Sequence, residues 1–274
     1  MANMVDSPGP VSQIGGRLLA HLDRRGQRVL RVPEDLPVVV ELVDDRVKAL
    51  ALISRLARTG WLRRVRRGTY VVRSRSASVD VSAIELIGEL SPTDHMVTAG
   101  RALAIHGLSD QSFRRTIVLT STAVRNWEWL GESVQYAVVP AADIWGGRPI
   151  VRSRRPTVIA SPERAILDSF AHPGWGVSHS QAVRALRAAA IRPRFVERLA
   201  RAAAKYGSDA TARRIGFLTE RFGGPTMAAP FLALRGSGHS ITPLRLGTPR
   251  SGPIDSKWLV RVNVDMDLLL EIAR

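Results

Sequence analysis

Residues 44–72 read DDRVKALALISRLARTGWLRRVRRGTYVV. At 100° per residue, Ala49, Leu52, Ile53 and Leu56 fall along one side of a helix spanning 44–59, and Gly60 suits a left-handed stop. The opposite side carries Asp44, Val47, Lys48, Ala51, Ser54, Arg55 and Arg58, short-chained in the middle and cationic toward the edges. After the glycine, residues 61–65 (WLRRV) and 69–72 (TYVV) flank Arg66-Arg67-Gly68, which predicts a hairpin with a basic turn.

Working upstream, Val11, Ile14, Leu18, Leu19 and Leu22 recur at helical spacing, and the run stops at Gly26. Residues 29–32 (VLRV) read as a short strand. Pro33 is placed to open a second helix at its first position, with Glu34 and Asp35 in the favourable first turn. Helix, strand, helix, helix, hairpin is the order of a winged helix-turn-helix, the fold expected for residues 1–75. In that fold the third helix lies in the major groove of duplex DNA. Lys48 and Arg55 then face guanine edges, Val47 or Ala51 a thymine methyl, and Arg58 a phosphate. Arg66 and Arg67 at the hairpin tip grip the backbone, with Arg63 and Arg64 behind them. For any one of these residues the ordinary alternative is a solvated charged face.

The charge balance points the same way. The chain has 274 residues and a formal net charge of +16, from 40 basic and 24 acidic residues. Residues 1–75 hold 15 basic and 7 acidic residues, so half the excess sits in about a quarter of the chain. A field of this sign raises encounter rates with polyanions. Nucleic acid fits better than a membrane surface, because no basic amphipathic helix carries bulky apolar anchors on its other face. Cysteine is absent, which excludes a disulfide framework and a thiolate zinc site. No apolar run approaches the roughly 20 residues of a transmembrane helix. Residues 1–10 are small and polar, unlike a signal peptide. A cytoplasmic location is the resulting expectation.

Residues 73–82 (RSRSASVDVS) offer little to bury, and the boundary between residues 1–75 and 76–274 is placed there. Beyond it, helices are predicted at 81–90, 99–106, 162–171, 180–190, 193–206 and 209–222, and strands at 116–120, 134–139, 157–160 and 259–264. Residues 223–256, rich in Gly, Pro, Ser and Thr, read as an extended loop. The fold class is α+β: an N-terminal winged helix-turn-helix followed by a larger mixed α/β domain.

Catalytic constellations are scarce. His21, His95, His106, His172, His179 and His239 are scattered, and none pairs with a carboxylate or second histidine at metal-ligand spacing. His106 before Gly107 reads as a helix C-terminal cap. Asp265-Met266-Asp267 has the D-x-D form that holds magnesium in nucleotidyl transfer, but no Gly-Ser lies a short distance upstream. Glu163 and Asp168 are five apart and do not share a helix face; the helix dipole accounts for Glu163 in a first turn. Asp255-Ser256-Lys257 lacks the upstream acid of a nuclease motif. No catalytic residue, no metal site and no cofactor are expected.

Five stretches in order give a family resemblance: residues 60–71 (GWLRRVRRGTYV), 102–108 (ALAIHGL), 160–168 (ASPERAILD), 212–218 (ARRIGFL) and 258–264 (WLVRVNV). Together they resemble the AbiEi family, the antitoxins paired with nucleotidyltransferase-like AbiEii toxins in bacterial abortive-infection and toxin–antitoxin operons. The resemblance implies a winged-helix repressor of its own operon, acting at inverted repeats. It also implies a second domain that neutralises the toxin directly or through its target. Residues 29–43 are longer and more apolar than the family's usual pattern, which leaves the edges of the second and third helices open. Arg152, Arg154 and Arg155, just before Pro156, are the candidate neutralising surface, with a solvated loop as the other reading. Two alternatives remain: a transcriptional regulator with an effector-binding domain, and a metal-dependent nuclease or nucleotidyltransferase using Asp265 and Asp267.

Overall fold

Ser12 starts the first helix of the computed structural model, which describes residues 8–73, 81–151, 154–236 and 239–272. Its hydroxyl accepts from the Gly15 amide at 3.2 Å and caps α1 (Gln13–Arg24). Leu18, Leu19 and Leu22 of α1 are buried, whereas Ile14 is 43% exposed. β1 (Val29–Arg31) follows. The second helix does not open at Pro33. The Asp35 carboxylate accepts from the Arg31 amide at 2.7 Å while the Asp35 amide donates to the Arg31 carbonyl, also at 2.7 Å, so residues 31–35 close a turn. α2 (Leu36–Val43) begins after it, with Pro37 in its first turn.

Asp45 then caps α3 (Arg46–Arg58) by accepting from the Lys48 amide at 2.6 Å. Ala49, Leu52, Ile53 and Leu56 are buried, the face that the helical period assigns to the core. They share one apolar cluster with Leu18, Leu22, Leu30, Leu36 and Val39. β2 (Leu62–Arg66) and β3 (Thr69–Val72) form the hairpin, and the three strands pair antiparallel in the order β1-β3-β2. Gly68 is obligatory at the turn. Its φ is +72°, its carbonyl accepts from the Val32 amide at 2.7 Å, and an added Cβ would lie 2.6 Å from the Val32 oxygen.

Strands and helices are numbered along the chain, which divides into two compact units. The first runs to Ser91 and also takes in residues 126–131 and 150–157, so it extends past the boundary that composition suggests. α4 (Ala83–Leu90), opened by a capping box between Ser82 and Glu85, therefore belongs to it. So does β6 (Trp127–Trp129), where the Trp129 indole donates to the Val81 carbonyl at 2.7 Å.

The second unit is built on β4 (His95–Thr98), β5 (Arg115–Thr120), β7 (Glu132–Val138), β8 (Gly147–Ile150) and β9 (Thr157–Ala160), in the order β7-β5-β4-β9-β8. β5 runs antiparallel to β4 and parallel to β7, and β4 is parallel to β9. Its helices are α5 (Ala99–Ile105), α6 (Pro162–Ala171), α7 (His179–Ala190), α8 (Phe195–Tyr206), α9 (Asp209–Leu232) and α10 (Met266–Ile272). α6 is the hub: it packs on α5, α7, α8 and α9, and every residue from Glu163 to Phe170 is buried. The stretch 223–256 is not all loop. α9 breaks at Gly224 (φ 79°), restarts at Pro225, where a missing N–H is tolerated, and buries Ala228 and Phe231 before ending at Leu232. The strand expected at 259–264 is only β12 (Val260–Arg261), between β10 (Thr242–Pro243) and β11 (Ile254–Asp255).

The described chain is thus mixed α/β with several sheets. Among the described residues, no helix is long and apolar enough to cross a membrane. Leu56→Ala, which empties a buried site of the first unit's apolar cluster, is expected to cost ~2–5 kcal/mol in denaturant unfolding, against ~0.5 kcal/mol or less for Ile14→Ala.

Candidate functional site

The outer face of α3 is open from end to end. Val47, Lys48, Ala51, Ser54, Arg55 and Arg58 are all exposed, Val47 by 75%, and Leu50 adds an apolar edge at 42%. None of the ion pairs among the described residues involves Lys48, Arg55 or Arg58. The face therefore presents cationic donors and small apolar groups on a rigid helix whose other side is locked into the core. Such a surface can bond to acceptor edges and anions.

The hairpin arginines divide into two sets. The Arg63 guanidinium lies 4.8 Å from the Trp129 ring, and Arg66 donates to the Leu90 carbonyl at 3.2 Å. Arg31 joins Arg66 there, donating to the Glu89 carbonyl at 3.0 Å with the Glu89 carboxylate 3.9 Å away. Two guanidiniums thus satisfy carbonyls at the C-terminal end of α4, where cations are favoured. Arg66 has a structural partner rather than an open tip position. Arg64, whose Nε donates to the Arg66 carbonyl at 3.4 Å, and Arg67 remain exposed. Arg63 is exposed as well, so Arg63, Arg64 and Arg67 carry the outward charge of the hairpin. Of the other candidate cluster, Arg152 lies outside the described residues. Arg154 is exposed, and the Arg155 amide donates to Glu89 Oε1 at 3.1 Å; both belong to the first unit, not the second.

The stretch ASPERAILD forms a buried polar cluster in the second unit. Ser161 caps α6 by accepting from the Arg164 amide at 3.2 Å, and Pro162 takes the first helical turn. Arg164 Nε donates to both Asp168 oxygens at 3.0 Å, and its Nη1 donates to the Asp143 carbonyl at 2.6 Å. The Thr98 hydroxyl also donates to Asp168, and the Tyr206 hydroxyl reaches it at 3.1 Å, with His172 Nε2 3.2 Å from the same hydroxyl. Trp145 and Tyr206 cover the guanidinium at 4.8 and 5.2 Å. Burial pushes the Asp168 carboxyl up, and the Arg164 charge with the Thr98 and Tyr206 bonds pulls it back only in part. Burial and the adjacent carboxylate likewise push the Tyr206 phenol up. Glu163 owes its place to more than the helix dipole, since Arg198 donates to it at 2.8 Å. The i,i+4 spacing of Arg164 and Asp168 is the sequence signal for this cluster.

The remaining acidic motifs act as caps and pairs. Asp265 accepts from the Leu268 amide at 3.1 Å at the start of α10, and Asp255 accepts from the Trp258 amide at 2.9 Å while facing Arg221 at 3.6 Å. His106 sits at the C-cap of α5, with Nε2 2.7 Å from the Ala160 carbonyl. Among the described residues, no group of three or more His, Asp or Glu is arranged to hold a metal ion.

No protein-family model matches the chain, and no curated protein matches it. Among solved structures it is similar to the crystal structure of RV2827C protein from Mycobacterium tuberculosis. The two share 17% sequence identity and a TM-score of 0.67, over 97% of this chain and 96% of that one. At this identity the likeness is one of fold.

Asp168→Ala leaves the Arg164 guanidinium buried without its carboxylate. Breaking a buried pair from one side is expected to cost ~3–5 kcal/mol of stability, read as a lowered denaturation midpoint.

Proposed function

We propose that the chain is an AbiEi-like antitoxin and autorepressor. In this reading the α1–β3 region is a winged helix-turn-helix that binds operator DNA, and the larger part of the chain counters a nucleotidyltransferase-like toxin. The observation that carries the DNA reading is the open face of α3, with Val47, Lys48, Ala51, Ser54, Arg55 and Arg58 all exposed. Those side chains suit a major groove: Lys48 and Arg55 for guanine edges, Val47 or Ala51 for a thymine methyl, Arg58 for a phosphate. Arg64 and Arg67 supply backbone contacts beside the groove. Arg63 and Arg66, each held within the first unit, position the hairpin. The formal charge of +16 supports the same class of partner. The ordered sequence stretches that resemble AbiEi support the antitoxin assignment.

Arg55→Ala is expected to weaken binding to the chain's own upstream inverted repeat by ~1–3 kcal/mol and to relax one base preference. Arg67→Ala is expected to weaken all duplexes alike and to reduce the salt slope by about one phosphate contact. Arg66→Ala is expected to act mainly through stability, with little change in salt slope. Titrations at several salt concentrations separate the three, and wild-type behaviour of both Arg55→Ala and Arg67→Ala rejects the surface.

Co-expression with a nucleotidyltransferase-like toxin, the partner that this reading requires, tests the other half. The full-length chain is expected to restore growth, and Arg55→Ala is expected to restore it equally when both proteins are supplied from an unrelated promoter. No protection from the wild-type chain rejects the antitoxin reading.

A further inference from the structure

Two arginines of the second unit carry uncompensated charge. Arg213 and Arg214 are both buried, yet neither is in an ion pair among the described residues. Arg213 donates to the Asp209 and Ser240 carbonyls at 3.3 and 2.6 Å; Arg214 donates to Thr242 Oγ1 at 3.4 Å and to the Phe170 carbonyl at 2.9 Å. Neutral acceptors satisfy the N–H groups but leave the charge unbalanced. Burial, with Arg213 alongside, brings the Arg214 guanidinium down to about 10.

That field reaches a pocket of about 250 Å³ walled by His179, Ser180, Arg245, Asp265, Leu268 and Leu269. His179 Nε2 is buried and has no hydrogen-bond partner among the described residues. Burial first, then the charges of Arg245 and Arg214, bring its imidazole down to about 4, so the ring is neutral at neutral pH. The Asn263 side chain holds the Arg245 backbone, accepting from its amide and donating to its carbonyl, each at 2.9 Å. The Arg245 guanidinium is left exposed and without an ion-pair partner among the described residues. Asp265, which also lines the pocket, uses Oδ1 to cap α10, and Leu269 is buried beside the half-exposed Leu268.

We propose that this pocket binds a free α-amino acid with an apolar side chain. Arg245 holds its carboxylate, Asp265 its ammonium, and Leu268 and Leu269 its side chain. A purely anionic ligand meets the Asp265 carboxylate, and a purely cationic one meets Arg245, so the mixed lining selects a zwitterion over either. A pocket of this size suits a small metabolite rather than a drug-sized ligand. The proposal stands on the second unit alone and does not depend on the DNA reading.

The test is calorimetric titration and thermal unfolding of the full-length protein with each proteinogenic L-amino acid, their carboxamides and inorganic phosphate. At least one of Leu, Ile, Val, Met or Phe is expected to bind and, at about a hundred times its Kd, to raise Tm by ~5–10 °C. Arg245→Ala and Asp265→Asn are each expected to weaken binding tenfold or more with the ligand-free Tm unchanged, because Asn still caps a helix. Arg55→Ala is expected to bind the amino acid as wild type does. Binding of no amino acid, carboxamides or phosphate binding as tightly, or both pocket variants binding as wild type, each overturns the proposal.

Discussion

An ionised carboxylate with no access to water must be supplied with partners, or it neutralises or unfolds its surroundings. Asp168 is in that position, fully buried in the middle of α6, and the second unit is arranged around meeting its demand. Its partners come from three places in the sequence. Arg164 lies one turn earlier on the same helix, Thr98 ends β4, and Tyr206 ends α8. Because each bond needs its element in register, the cluster fixes the central strand, the hub helix and a flanking helix to one another. Trp145 and Tyr206 then cover the guanidinium with ring faces, which favour a cation without competing for its N–H groups. A polar cluster of this kind favours one arrangement of helices over the neighbouring alternatives that an apolar core alone tolerates.

The first unit uses arginine differently. In residues 63–67 two pairs of arginines flank Val65, and the sequence places Arg66 and Arg67 together at the tip with Arg63 and Arg64 behind them. The fold divides them differently. Pairing with β3 leaves Arg64 outward, Arg63 meets Trp129, and Arg66 reaches the last carbonyl of α4. The cation that looks most like a hairpin tip is thus partly consumed in holding α4, and Arg67 takes the tip.

Legibility from sequence followed the range of the forces involved. α3 was readable because period and stop agreed: four apolar residues at 3.6 spacing, all buried, and Gly60, while the Asp45 cap emerges only in the structure. The limits of α6, Pro162–Ala171, were readable for the same reason, with Ser161 and Pro162 at its start. β4 was not read, because four residues, HMVT, carry no period, and its burial comes entirely from β5, β9 and the helices around it. The second half of α9 is not legible because Gly and Pro read as loop formers throughout 223–256, whereas Pro225 sits where a helix can begin. At the candidate site, the exposed face of α3 followed from its period, but the separation of Arg66 from Arg67 did not. It depends on α4, which the chain supplies from beyond the boundary that composition suggests.

The formal charge of +16 does not say which cations a partner can touch, and that distinction bears on where function is sought. Arg164, Arg213 and Arg214 are buried; Arg31 and Arg66 cap a helix; Arg101 bonds to Glu132 and Arg198 to Glu163. These cations serve packing, and counting them toward polyanion binding mistakes internal chemistry for surface chemistry. What counts is the subset that is exposed and uncommitted, because only those charges gain by displacing water and counterions at a partner's surface. Lys48, Arg55, Arg58 and Arg67 meet that condition on two adjoining elements of one unit, and Arg245 meets it on the wall of a pocket in the other. The first group is spread along a helix and a turn, as an extended polyanion requires. Arg245 instead lines a small pocket that the Asp265 carboxylate also lines, which suits a small zwitterion better than a strand of phosphates.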